Sequence, residues 1–216
     1  MLACWSVKGG VGTTVVVAGL AIAGALGRNG APVLVVDLGG DVPALFGAPD
    51  PPGPGLAGWL AAGPEVPPDA IGRLTCDLGR GISLIPRGHG PLAAERAGAL
   101  AEALAADPRS VIIDAGRWDD GSAAECLTLA SERSLLVTRA CPLSLRRLEA
   151  LPHPPSGVVV VREPRRRISW QTIAEVSESP VVAELDVDPA VAAAVDAGLD
   201  RRQLPRAFVR ALGDLW

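Results

Sequence analysis

Nine residues near the start of the chain, Ser6-Val7-Lys8-Gly9-Gly10-Val11-Gly12-Thr13-Thr14, combine three glycines, two threonines and a lysine in an order suited to holding phosphate. Glycine lets the backbone take positive φ and bring N–H groups close to an anion. A helix beginning at Thr14 adds its free N–H groups and its dipole. Thr14 occupies the Ser/Thr position at which such loops bind Mg²⁺. The usual loop ends G-K-[ST]; here Thr13 stands where the lysine belongs, and Lys8 lies five residues earlier. The chemistry on offer is therefore anion binding with an altered charge arrangement.

A loop of this kind works only between a strand and a helix, and the sequence supplies both. Short apolar runs rich in β-branched residues recur at Leu2–Val7, Val33–Val36, Val111–Ile113, Leu135–Val137 and Val158–Val161, with Val181–Leu185 a weaker sixth. They are continuous rather than alternating, which predicts a parallel sheet covered on both faces. Helical patterns separate them: Thr14–Arg28, Leu92–Ala106, Ala123–Ser131, Leu143–Leu151, Ser169–Val176 and Pro189–Ala197. Alternating strands and helices predict a doubly wound α/β fold. Residues 49–68 are rich in proline and glycine around an apolar island at Leu56–Ala62, and are read as a surface excursion carrying a short helix. Leu74–Cys76 and Ile82–Ile85 flank Asp77–Gly81 as a hairpin or an edge strand. The alternation resumes after the excursion, so residues 1–216 are read as one domain.

Composition narrows the class further. Of 216 residues, 49% are apolar but only 3% aromatic, so Val, Leu, Ile and Ala must fill the core. A net charge of −4 argues against a broad electrostatic footprint for nucleic acid. Cys4, Cys76, Cys126 and Cys141 form no C-x-x-C pair, and His89 and His153 lie far apart; the thiols read as reduced and buried. MLACWSV lacks the basic region of a secretory signal, and Val15–Leu26 is too short and too interrupted by glycine to span a bilayer.

The order K-G-G-V-G resembles the deviant Walker A motif of the ParA/MinD family, K-G-G-x-G-K-[ST], and K-G-G-V-G-T-T resembles the CpaE/TadZ-like branch that serves Flp (Tad) pilus assembly. The resemblance implies a P-loop NTPase fold, dimeric, with ATP and Mg²⁺ as cofactors. It implies that Lys8 is the signature lysine, reaching across the dimer to the partner's nucleotide. Gly9, Gly10, Val11, Gly12, Thr13 and Thr14 carry over to the phosphate loop. Val33–Leu38 resembles the family's second strand, with Asp37 at its end before a switch loop. Ser110–Asp114 resembles the Walker B strand, in which Asp114 holds magnesium through water. Leu185–Gly198 resembles the late strand–helix segment. Val161-Arg162-Glu163 stands where relatives place a residue that contacts the adenine, which makes Arg162 the corresponding nucleotide-contacting position.

Departures from the family pattern shape the functional expectation. The switch loop commonly reads D-x-D; here it is Asp37-Leu38-Gly39, with Asp41 two residues late. After Walker B, Ala115-Gly116-Arg117 replaces the usual proline-containing switch. A charge-assisted hydrogen bond to phosphate contributes ~1.5–3 kcal/mol, so losing the lysine at position 13 weakens nucleotide binding by roughly ten- to a hundredfold. Hydrolysis suffers more, because charge stabilisation at the transferring phosphoryl group is a large effect. The expectation is an ATP-binding, weakly or non-hydrolysing positioning or assembly factor for a Flp/Tad-type pilus or secretion machine. It is cytoplasmic, a homodimer, and recruited to the membrane or cell pole through a protein partner or its C-terminal helix. The alternatives are a chromosome- or plasmid-partitioning ATPase that acts on DNA, which the acidic balance disfavours, and a pseudo-ATPase scaffold that binds no nucleotide.

Three features stand outside the loop. Arg162, Arg165, Arg166 and Arg167 form the one basic cluster, read first as a solvated loop and second as a contact for a partner, acidic lipid or DNA. Leu204, Phe208, Leu212 and Leu215 recur at helical spacing, which favours a last helix packed on the sheet over one laid on a membrane. Trp59 and Trp118 are read as core or interface anchors.

Overall fold

The computed structural model describes residues 1–27, 30–50, 52–63, 65–199 and 204–216. Eight strands form one sheet: β1 (Leu2–Ser6), β2 (Val33–Asp37), β3 (Cys76–Asp77), β4 (Ile82–Ile85), β5 (Ser110–Arg117), β6 (Arg133–Arg139), β7 (Gly157–Arg162) and β8 (Val181–Asp186). Their spatial order is β3-β4-β2-β5-β1-β6-β7-β8. Every pairing is parallel except β3 with β4. The chain moves from β1 toward one edge and later from β6 toward the other, so β1 sits at the switch point where open α/β sheets bind ligands.

The continuous apolar runs are explained by burial on both faces. One face carries Trp5, Leu34, Val36, Ile113, Leu136 and Val160 against α3 (Gly55–Leu60), α4 (Ala97–Ala105), α5 (Ala123–Ala130), α6 (Pro142–Leu148) and α7 (Trp170–Ser177). The other carries Cys4, Val33, Val35, Ile112, Val137 and Val159 against α1 (Thr13–Leu26), with α8 (Pro189–Asp196) and α9 (Arg206–Gly213). Successive strand residues alternate between these two cores, as the period of two requires. α1 is apolar nearly all round because it is covered nearly all round: Val16 to Ala23 are all buried.

Several elements differ from the expected bounds. The first helix starts at Thr13 and ends at Leu26; Arg28 lies outside the described residues. The helix expected over 92–106 begins only at Ala97. Arg96, just before it, sends its guanidinium to the Trp59 and Val66 carbonyls at 3.0 and 2.7 Å and stacks 4.1 Å over the Trp59 ring. The excursion does carry a short helix, α3, and continues into a 3₁₀ turn over Pro68–Leu74 that the sequence did not announce. The hairpin forms, but its edge strand is β3 alone; β4 is internal, between β3 and β2. The last helix packs on the sheet as expected, at its edge strand β8, and against α1. Leu212 and Leu215 are buried, and Trp216 Nε1 donates to the Leu20 carbonyl at 3.1 Å. Among the described residues no helix is long and apolar enough to cross a membrane.

Candidate functional site

The glycine loop leaves the C-terminal end of β1 and enters α1. Gly10 and Gly12 take positive φ, 74° and 104°, so L side chains are disfavoured at both. A Cβ placed on Gly9, Gly10 or Gly12 would meet nothing within 4 Å. These glycines are therefore not demanded by neighbouring protein atoms; they line open space. Gly12 caps α1 in a left-handed conformation and offers no side chain to the helix's first N–H groups. Free N–H groups at an uncapped helix start attract an anion.

That space is a cleft of about 530 Å³ lined by Ser6, Gly9, Gly10, Gly12, Thr13, Thr14 and Val15 from the loop and helix. Gly39, Asp41 and Leu45 close one side, Gly116 and Arg117 another, and Arg139 a third. The strand order explains the gathering: β1, β2, β5 and β6 all end here.

Two buried aspartates lie behind the Gly39 wall of the cleft. β2 and β5 pair in a register that sets Asp37 beside Asp114, and both are fully buried. Gly39 faces them, since a Cβ there would lie 3.6 Å from Asp37 Oδ1 and 3.6 Å from Asp114 Oδ2. Asp37 is satisfied locally, accepting from the Gly40 amide at 2.6 Å and the Val42 amide at 3.2 Å, which ties down the loop leading into α2 (Val42–Leu45). Burial nevertheless holds its carboxyl above the ordinary range. Asp114 Oδ1 accepts from the Gly116 amide at 3.0 Å, while Oδ2 is buried without a well-formed hydrogen bond. Burial first, and the Asp37 charge second, push Asp114 up to about 7, against the opposing pull of the Thr14 hydroxyl and the Gly116 amide. A buried carboxylate oxygen without a well-formed hydrogen bond, near a threonine at the start of a helix, suits a hydrated divalent cation. β5 gains one residue on β1 between Asp114 and Gly116, a bulge of the kind found beside functional sites.

The expected site residues divide by place. Gly9, Gly10, Gly12, Thr13 and Thr14 line the cleft, Val11 sits buried in the same loop, and Asp37 and Asp114 are buried beside Gly39, which also lines it. Asp41 is exposed at the cleft wall, although it is two residues late in sequence. Lys8 does not line the cleft. Its charge is felt at Cys141, which precedes α6: burial opposes thiolate formation there, yet hydrogen bonding by Ser144 and the Lys8 charge bring the thiol below its ordinary value. Arg162 also stands apart, held by Asp186 at 2.7 Å and Glu184 at 3.4 Å. A separate apolar pocket of about 280 Å³ adjoins the loop, lined by Val11, Val15, Val161, Leu185, Val187 and Val191.

Sequence reasoning missed Arg139. It ends β6, donates to the Val11 carbonyl at 3.4 Å and pairs with Glu163 at 2.8 Å. The available signal was its place, two residues beyond an apolar strand run, at the end of the sheet where ligands bind.

The sheet, the glycine loop and its flanking strands define the class: a P-loop NTPase fold of the ParA/MinD type. The cell division ATPase MinD of Pyrococcus furiosus superposes over 100% of this chain and 98% of its own, with a TM-score of 0.77 and 23% identity. The septum site-determining protein MinD of Pyrococcus horikoshii, complexed with Mg-ADP, covers 100% and 94% at 0.75 and 21%. A ParA family ATPase from Chlorobium tepidum covers 99% and 96% at 0.74 and 19%. At these identities the likeness is one of fold. No protein-family model matches the sequence, and no curated protein matches it.

Proposed function

We propose that the chain is a nucleotide-gated positioning or assembly factor that binds ATP with Mg²⁺ and turns it over slowly, if at all. The observation that carries this reading is the meeting of open glycines, an uncapped helix start and an orphaned buried Asp114 oxygen in one cleft. The loop amides would hold the phosphates, Thr14 and Asp114 the magnesium with its waters, and the neighbouring apolar pocket the base. Bound magnesium supplies charge neutralisation along the phosphates. Asp37 acts through the loop it ties, keeping Gly39–Asp41 against the cleft.

Slow turnover follows from what lines the site. Thr13 is buried where a lysine would reach the phosphates, and Lys8 is not among the residues that line the cleft. That placement supports the deviant Walker A reading, in which Lys8 serves a partner subunit's nucleotide and the chain acts as a dimer. K-G-G-V-G-T-T further favours the CpaE/TadZ-like branch, hence a cytoplasmic protein working with a pilus or secretion machine.

Calorimetry of Mg-ATP on wild type and Lys8→Ala, with molecular mass measured on the same samples, tests the reading. Binding that drives dimerisation, weakened in the variant, is the expected result. No binding at millimolar ATP would make the loop a relic and the protein a scaffold.

A further inference from the structure

We infer that Arg139 supplies the phosphate-facing charge that the loop itself lacks, and that Glu163 competes for it as an internal counter-anion. This rests on the nucleotide reading above and deepens it.

The charge balance of the cleft motivates the inference. Asp41 lines it, and Asp37 and Asp114 are buried beside Gly39 in its wall. A polyphosphate placed there meets backbone dipoles, which favour it, and carboxylates, which repel it. The loop's own lysine is absent and Lys8 is not among the lining residues. Only two cations line the cleft among the described residues, Arg117 and Arg139.

These two are not equivalent. Arg117 is exposed and has no hydrogen-bond or ion-pair partner among the described residues, so fixing it on a ligand costs side-chain freedom. Arg139 is already positioned. Its side chain is 32% exposed, and its Nε lies against the Val11 carbonyl inside the loop. It is also the one cation shared by the cleft and the adjoining apolar pocket, which puts it between the places proposed for phosphates and base. Its Nη1 is engaged by Glu163 Oε1, while Nη2 has no hydrogen-bond partner among the described residues. Glu163 is itself shared, its other oxygen pairing with Arg166. An incoming phosphate can therefore take the open arm of Arg139 at once, and draws the second arm away from a carboxylate that Arg166 still neutralises.

The test is Mg-ATP titration of the full chain in five forms: wild type, Arg139→Gln, Arg139→Lys, Glu163→Gln and Arg117→Gln. Arg139→Gln should weaken binding about 10- to 100-fold, and Arg139→Lys should recover part of that loss. Arg117→Gln should stay within about threefold. Glu163→Gln should tighten binding about 3- to 10-fold, because it frees the guanidinium. That sign separates ligand charge from mere bracing: a brace loses strength when Glu163 is removed, and binding would fall or stay level. Wild-type binding with no loss in Arg139→Gln, with the larger loss in Arg117→Gln, or with no gain in Glu163→Gln overturns the inference and leaves the nucleotide reading standing. Failure of the wild type to bind overturns both.

Discussion

Glycines at two places in this molecule share a left-handed backbone and have opposite surroundings. In the phosphate loop, Gly10 and Gly12 face open space. Where the Pro/Gly excursion meets the end of β4, Gly55 and Gly88 have φ of 57° and 69° and are pressed together. A Cβ on Gly55 would come within 2.6 Å of Gly88 Cα, and one on Gly88 would run into the Pro54 carbonyl. The second pair is required by the protein's own packing. The first is left unused by the protein, as is the Asp114 oxygen nearby. At the cleft the open glycines stand next to a buried carboxylate oxygen without a partner, while at the Gly55–Gly88 contact the backbones themselves fill the space. That contrast separates a place built to receive something from a place built to hold the chain together.

The sharpest way to break the comparison is Gly88→Ala. It adds backbone strain and a backbone clash together, and should cost about 3–5 kcal/mol of stability in denaturant melts. A variant melting like wild type would mean that the junction has slack. Next is Arg96→Ala, which removes three hydrogen bonds to excursion carbonyls and the stacking on Trp59, and should cost about 2–3 kcal/mol. Its signature is loss of order across the excursion in hydrogen exchange, with the phosphate loop unaffected.

At the cleft the sign reverses. Asp114 takes up a proton in the folded state that the unfolded chain releases near pH 4, because its folded value is raised to about 7. Wild-type stability should therefore fall as pH rises through that window. Asp114→Asn should equal wild type near pH 4, exceed it by about 1–3 kcal/mol above pH 7, and lose magnesium-dependent nucleotide binding. Thermal melts across pH, and the same titration with and without magnesium, read both effects. A destabilised Asp114→Asn at neutral pH would place Asp114 among the structural residues. The smallest expected stability change is Gly10→Ala, about 1 kcal/mol from the left-handed backbone alone, since no atom obstructs the new methyl. Its nucleotide affinity should fall far more than its melting temperature does.

Local chemistry made much of this molecule legible in advance. A strand buried on both faces must be apolar throughout, so five of the strands announce themselves, and Asp37 and Asp114 stand out as charges ending such runs. The glycine loop is legible because positive φ and close approach need glycine whatever the rest of the chain does. What escaped depends on partners distant in sequence. Arg96 looks like one more helical residue until Trp59 and Val66 are placed beside it. Arg139 looks like a surface charge after a strand, because nothing local records that Val11 lies 128 positions away in the chain and a hydrogen bond away in space. Lys8 and Thr13 give the identity of the loop's side chains, but only the folded backbone keeps Lys8 off the cleft's lining and buries Thr13. The sequence by itself determined which segments could be strands, helices and phosphate loop, since burial pattern and backbone freedom are local properties. The tertiary structure alone decided which charges share the cleft, since strand order and register carry each strand's last residue to its place.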